Sequence, residues 1–177
     1  MSRWTVHGER PVYESDWLSV GLADVELPDG QRFEHHTVRG GAASGTVVSD
    51  VQRGVLLIWR HRFIPDQWGW EIPAGRIEQG ESEAGAAARE TLEETGWRPG
   101  PLRPLCRFTP MSGVADRVFH IFLADGAERV GDPADVNEAE RVEWIPLPEV
   151  RALIQRGEMP DGLSLAAVLW FLTFELA

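Results

Sequence analysis

The order of elements predicts an α+β fold in which strand-rich sequence dominates and helices are few. Two observations carry that expectation. Strand-like runs fill most of residues 12–72 and 102–145, and a single helical stretch separates them, with two more helices closing the chain. The length of 177 residues, 43% of them hydrophobic, suits one globular domain with a real core, or one domain plus a small N-terminal appendage.

Residues 12–25 read as a strand, "LPDG" at 27–30 as a tight turn, and 31–39 as a second strand. This places an antiparallel hairpin extension in residues 1–40. It has too little core to stand alone, so it is expected to dimerise. The main domain then covers 41–177. "GGAASG" (40–45) is a flexible connection. It lacks the Lys-Ser/Thr ending of a phosphate loop and precedes a strand. "SGTVVSD" and "RGVLLIWRHRF" form a strand pair, and "WGWEI" is a short strand ended by Pro73. A helix follows from Ser82, an N-cap, to Gly96, a C-cap, with Pro99 beyond. Strands are expected at 102–109, 117–124 and 141–145. Pro148 suits the first position of a helix that stops at Gly157, and the last helix covers 163–175.

The formal charge of -11 repels nucleic-acid polymers and anionic membranes, so neither is an expected partner. The one cysteine, Cys106, excludes a disulfide framework and a cysteine-based zinc site. A reducing, cytoplasmic setting is expected. "MSRWTVHGERP" has no apolar core of a signal peptide. "LSLAAVLWFLTFELA" is too short to span a bilayer and reads as a docked helix, with Trp170 in its core. Trp68 and Trp70 share a strand face and are also expected inside. His35 and His36 are adjacent in a strand and face opposite ways, which disfavours a metal site there. Cys106 reads as a small buried hydrophobe.

The helix at 82–96 is unusual. With about 100° per residue, Glu83 and Glu94 lie about 20° and 40° from Glu90 on one side, and Glu93 about 60° on the other. Only Ala86 and Ala87 share that stripe, which predicts open room above it. Ala84, Ala88, Thr91, Leu92 and Thr95 make the packing face. Like charges one turn apart cost a few tenths of a kcal/mol, and Arg89 alone is near enough to relieve them. Clustered carboxylates without cationic relief suit a hard divalent cation. Mg²⁺ takes one or two carboxylates and completes its shell with water and substrate phosphate.

The pattern Gly75, Glu81, Arg89, Glu90, Glu93, Glu94, Gly96 resembles the Nudix box. Thr91 and Trp97 depart from it at packing positions. Outside the box, "EIPAG" (71–75), "RHRF" (60–63), "TPMSGVADR" (109–117) and "NEAERVEWIPLPEV" (137–150) resemble the ADP-ribose and nucleoside-diphosphate-sugar pyrophosphatases of that family. Met111 and Arg117 depart from that subfamily's loop. The likeness runs from about residue 12 to 175.

The resemblance implies a Nudix fold, a mixed β-sheet sandwiched between helices. It implies Mg²⁺, or Mn²⁺, held by Glu90, Glu93, Glu94 and the carbonyl of Ala74. Its catalytic set is Glu93, Arg89, which holds Glu93, and a general base from the late loop, Glu138 or Glu140. Glu81 ties loop to helix. The substrate-binding set is Arg62, Arg39, Glu71 and Trp17, the last stacking on a base from across a homodimer interface. The implied reaction is attack of water on the P–O–P bridge of a nucleoside diphosphate linked to another moiety, foremost ADP-ribose to AMP and ribose 5-phosphate. The alternatives are another nucleotide sugar, a dinucleotide, or a catalytically silent nucleotide-binding regulator.

Overall fold

The computed structural model describes residues 3–134 and 138–176. Asn137, at the start of the late acidic segment, lies outside the described residues. The chain forms two compact units: one runs to Ala42 and includes Thr109–Val118, and the other holds the rest.

The N-terminal unit is a three-stranded antiparallel sheet in the order β1 (Thr5–Glu14), β2 (Leu18–Glu26), β3 (Arg32–Gly40). The expected hairpin is therefore preceded by a further strand. The single strand expected over 12–25 is broken at 15–17, where the Ser15 hydroxyl accepts the amides of Trp17 and Leu18. Strand β1 escaped prediction because its pairing slips between Val6 and Gly8 and again between Pro11 and Tyr13. Each slip interrupts the period-two alternation that marks a strand. The "LPDG" turn forms as expected. Leu27 N–H donates to Gln31, and Gly30 takes φ 85°, which needs no Cβ. Residues 109–118 close on β3: Val38 N–H donates to Val114 O at 2.8 Å, and Val38 bridges Ala115.

The larger unit is built on a mixed sheet. Its strands are β4 (Ala43–Asp50), β5 (Gly54–Arg62), β6 (Gln67–Glu71), β7 (Ala74–Arg76), β9 (Leu102–Phe108), β10 (Phe119–Asp125) and β12 (Arg141–Ile145). The path is β12-β5-β4-β10-β9, with β10 parallel to β4 and the other pairs antiparallel. A small ribbon pairs β8 (Trp97–Pro99) with β11 (Ala127–Arg129). Strands β4 and β5 pair only at Ser49–Val55 and Asp50–Gly54. Beyond that they part. β6 pairs with β5 and β7 with β4, so the segment Glu71–Arg76 sits in the split.

Helix α1 (Glu83–Thr95) has the predicted caps. Ser82 Oγ accepts from Gly85 N–H, and Gly96 ends it in the left-handed region at φ 72°. Its buried face differs from the expected one. Ala86 and Ala87 are fully buried, so the room predicted above the acidic stripe is filled by strand β4. Ser44 Oγ donates to Glu83 O at 2.7 Å, and Thr46 Oγ1 donates to Ala87 O at 3.1 Å. The alanines serve close approach of helix to strand. On the opposite face of β4, Val47 joins Leu57, Ile72, Ile121 and Leu123 in the main core. Helices α2 (Leu147–Gln155) and α3 (Gly162–Phe174) cover that core with Val150, Leu153, Ala167, Val168 and Phe171.

Three apolar assignments change. Trp170 is 44% exposed and rests on Phe174, not in the core. Trp68 is 47% exposed and stacks on Trp59, while Trp70 is buried as expected. Cys106 is half-buried, which still pushes its thiol up. Among the described residues, no helix is long and apolar enough to cross a membrane.

Candidate active site

The split between β4 and β5 meets the acidic helix. Gly75 lies against the Glu90 carboxyl group, and a methyl at this position would overlap it. Ala74 N–H donates to Glu94 Oε2 at 2.9 Å. Thus "PAG" touches two of the four box carboxylates through backbone, which is why small residues stand there.

Arg89 is the hub on one side. Nε reaches Glu81 Oε1 at 3.0 Å, and Nη1 reaches Glu90 Oε1 at 2.8 Å and Glu93 Oε2 at 2.9 Å. Nη2 donates to Arg76 O. Glu81 holds Arg89 and also accepts from Glu78 N–H, so it ties loop to helix. Its hydrogen bond to Arg89 keeps Glu81 below the usual carboxylate range.

Arg60 is the hub on the other side. Its Nη1 pairs with Glu94 Oε1 at 2.8 Å and its Nη2 with Glu138 Oε2 at 2.9 Å. Glu94 and Glu138 are themselves hydrogen-bonded. Burial pushes Glu94 up to about 8; Arg60 opposes this, and the contact with Glu138 adds to it. Glu90 is also raised by burial, against the pull of Arg89. Burial works against the charge on Glu138 too, but the Glu94 hydrogen bond and Arg60 win, and its carboxyl is held low.

The two hubs leave an imbalance. Among the described residues, Glu81, Glu90, Glu93, Glu94 and Glu138 form ion pairs with the two guanidiniums of Arg89 and Arg60, and the charge of Arg62 also bears on Glu94 and Glu138. Among the described residues, no three His, Cys, Asp or Glu side chains converge into a preformed metal cage. The donors themselves are oxygens, two of them raised by burial and short of positive charge. That donor set fits a hard divalent cation, whose binding would displace protons and arginine contacts.

Glu71 is buried, with both oxygens engaged by Arg62 at 2.6–3.2 Å. Arg62 itself is half-exposed. Glu140 is exposed, and its amide donates to Trp59 O. Arg39 and Trp17 belong to the N-terminal unit. Arg39 binds Glu9 Oε2 at 2.6 Å and Asp116 Oδ2 at 3.2 Å, beside a cavity of about 410 Å³ that His35, His36, Thr37 and Ser112 help to line. Trp17 is 75% exposed.

Sequence reasoning missed Arg60. The signal was present: Arg60 and Arg62 alternate with Trp59 and His61, so period two puts both arginines on one sheet face.

Residues 39–166 match the NUDIX domain, and residues 4–38 match the nucleoside diphosphate sugar hydrolase N-terminal domain. The chain is 47% identical over 170 residues to a CMP-5'-(N-acetyl-N-hydroxy-3-aminopropyl)phosphonate hydrolase of Streptomyces rubellomurinus, covering 94% of this chain and 82% of that one. It is 26% identical to an ADP-ribose pyrophosphatase of Bacillus subtilis, over 89% of this chain and 86% of that one. It is 28% identical to a GDP-mannose pyrophosphatase of Salmonella choleraesuis, covering 86% of each. A crystal structure of an ADP compounds hydrolase superposes with a TM-score of 0.82 at 20% identity, over 95% of this chain and 91% of that one.

Proposed function

The chain belongs to the Nudix family, and on that premise we propose that it cleaves the P–O–P bridge of a nucleoside diphosphate joined to a second moiety. ADP-ribose, giving AMP and ribose 5-phosphate, is the first candidate. The observation that carries the reading is the excess of carboxylates over guanidiniums where "EIPAG" meets α1.

Glu90, Glu93, Glu94 and the carbonyl of Ala74 would hold the cation, Mg²⁺ or Mn²⁺. When bound, it neutralises the bridging phosphates and makes water a nucleophile. The chain's own residues do the rest. Arg89 fixes the rotamers of Glu90 and Glu93. Glu138, a carboxylate kept charged within reach of Glu94, accepts the proton of the attacking water. Glu140 is the less favoured base, since it stands exposed with no tie to the box helix among those described. Arg62, braced by buried Glu71, offers a half-exposed guanidinium to a phosphate. Arg39 and Trp17 are assigned to the ribose and base, Trp17 from the partner of a homodimer, and the enzyme is assigned to the cytoplasm.

A second reading is favoured by one observation, the 47% identity to the hydrolase of a CMP-linked phosphonate. The bridge would then join a phosphate to a phosphonate, and the same carboxylates would serve. The test is phosphatase-coupled kcat/KM with Mg²⁺ for ADP-ribose, UDP-glucose, dGTP and a mixed anhydride of CMP with an alkylphosphonate. A tenfold preference for dGTP would overturn the class. A preference for the phosphonate would select the second reading. Light scattering should give twice the 19.8 kDa chain mass.

A further inference from the structure

Arg60 has no role in the assignments above, yet its side chain ion-pairs with both the box helix and the late acidic segment. It lies near the end of β5, and its side chain is 11% exposed. Two of its nitrogens are spent on two different carboxylates, Glu94 at 2.8 Å and Glu138 at 2.9 Å. The third, Nε, is buried with no hydrogen-bond partner among the described residues. A guanidinium placed for stability is expected to satisfy every buried donor, because a bare one carries its full desolvation cost. Here one donor is left bare while the two Nη groups span a gap that a point charge cannot span. Glu138 is half-exposed and on an irregular segment, so without Arg60 the contact with Glu94 is what remains to hold its carboxylate.

We propose that Arg60 is a positioning residue for the hydrolysis: its two Nη groups hold the Glu138 carboxylate against Glu94, where it can take the proton of the attacking water. The proposal rests on the reading of Glu138 as the base. Arg60 touches neither substrate nor reacting atom. It acts through Glu138, and the balance of the step is unchanged: water gives its oxygen to phosphorus and its proton to Glu138, and the phosphate leaves.

A double-mutant cycle separates this from a structural role. Arg60→Gln, Arg60→Lys, Glu138→Gln and the double variant R60Q/E138Q are compared for kcat, KM and the Mg²⁺ concentration at half-maximal rate, with melting curves to confirm folding. Arg60→Gln should lower kcat by about 30-fold or more, with KM within threefold, because what is lost is orientation in the reacting complex. Arg60→Lys, which keeps the charge but spans only one carboxylate, should recover less than a third of the lost rate. In the Glu138→Gln background the same Arg60→Gln change should alter kcat by less than threefold. Multiplicative losses would overturn the proposal and place the effect of Arg60 in Glu94 or the fold. Near-normal kcat for Glu138→Gln would overturn the base assignment and this proposal with it. Normal kcat for a folded Arg60→Gln would overturn the proposal alone. If Arg60→Gln fails to fold, the cycle is run with Arg60→Lys, where a loss undiminished in the Glu138→Gln background overturns it equally.

Discussion

Replacing Gly75 with alanine isolates the approach of backbone to the acidic helix. The new methyl would overlap the Cδ and both oxygens of Glu90, its three nearest atoms. Gly75 does not occupy the left-handed region, so the backbone of β7 accepts alanine without strain. The obstruction is the far end of a flexible side chain, so Glu90 must give way. Its carboxylate withdraws by about 1 Å, a misplacement of the size that costs about 100-fold in rate. That is about 2.7 kcal/mol of transition-state stabilisation. Stability should change much less. Moving Glu90 off its rotamer costs about 0.5–1.5 kcal/mol, and the loss of glycine from the unfolded chain returns about 0.4–1 kcal/mol. The melting temperature should therefore stay within about 4 °C. The assay is phosphatase-coupled kcat/KM beside a thermal melt. A variant within threefold of wild-type activity would refute the reasoning, because it would show that Glu90 is not needed where the structure holds it.

Three further predictions follow from separate parts of the molecule. Glu93→Gln and Glu94→Gln should each lower kcat at least about 100-fold, since the charge stabilisation supplied through a metal ligand is worth several kcal/mol; single-turnover kinetics of the folded variants checks this. Arg62→Met strands the buried Glu71 and should cost up to about 3 kcal/mol in urea unfolding, at the low end for a buried pair because the guanidinium is half-exposed. Glu9 is lowered to about 2 from 4.5 by its hydrogen bonds to Arg39 and Thr37. A depressed folded-state pKa stabilises above the unfolded value and is lost as pH falls from about 4.5 to about 2. An NMR titration should find Glu9 titrating near 2, and shifted up toward 4.5 after Arg39→Met, with the Thr37 hydrogen bond still pulling it down.

Much of this was legible in the sequence where one local rule acts alone. Ser82 and Gly96 cap α1 because a hydroxyl acceptor and a left-handed residue have few substitutes. Strand β12 was placed to the residue, since Arg141–Ile145 is bounded by a proline. The fold class followed from the order of strand-like and helical runs, and the box from a spacing that resembles the Nudix pattern. What failed depended on tertiary partners. Ala86 and Ala87 look like an empty face until β4 presents Ser44 and Thr46 to the helix carbonyls. Strand β1 hides behind two slips in pairing that no alternation pattern reveals. Strands β7, β8 and β11, three residues each, are too short to carry a period. Trp170 is apolar yet exposed, because α3 is hydrophobic on all sides and its sequence does not say which side is covered. Arg60 reads as one more basic residue until the fold brings Glu94 and Glu138 to it across long stretches of chain.

The central claim is that water attacks phosphorus in a P–O–P bridge at carboxylates that require a divalent cation. It is tested most directly by turnover of ADP-ribose and of a mixed anhydride of CMP with an alkylphosphonate in ¹⁸O-labelled water, with and without chelator, followed by mass spectrometry of the products. The account predicts one ¹⁸O in a phosphate or phosphonate product of whichever compound turns over, none in a sugar hydroxyl, and no product when the cation is removed. Undiminished turnover with chelator, or label found on sugar carbon, would contradict it.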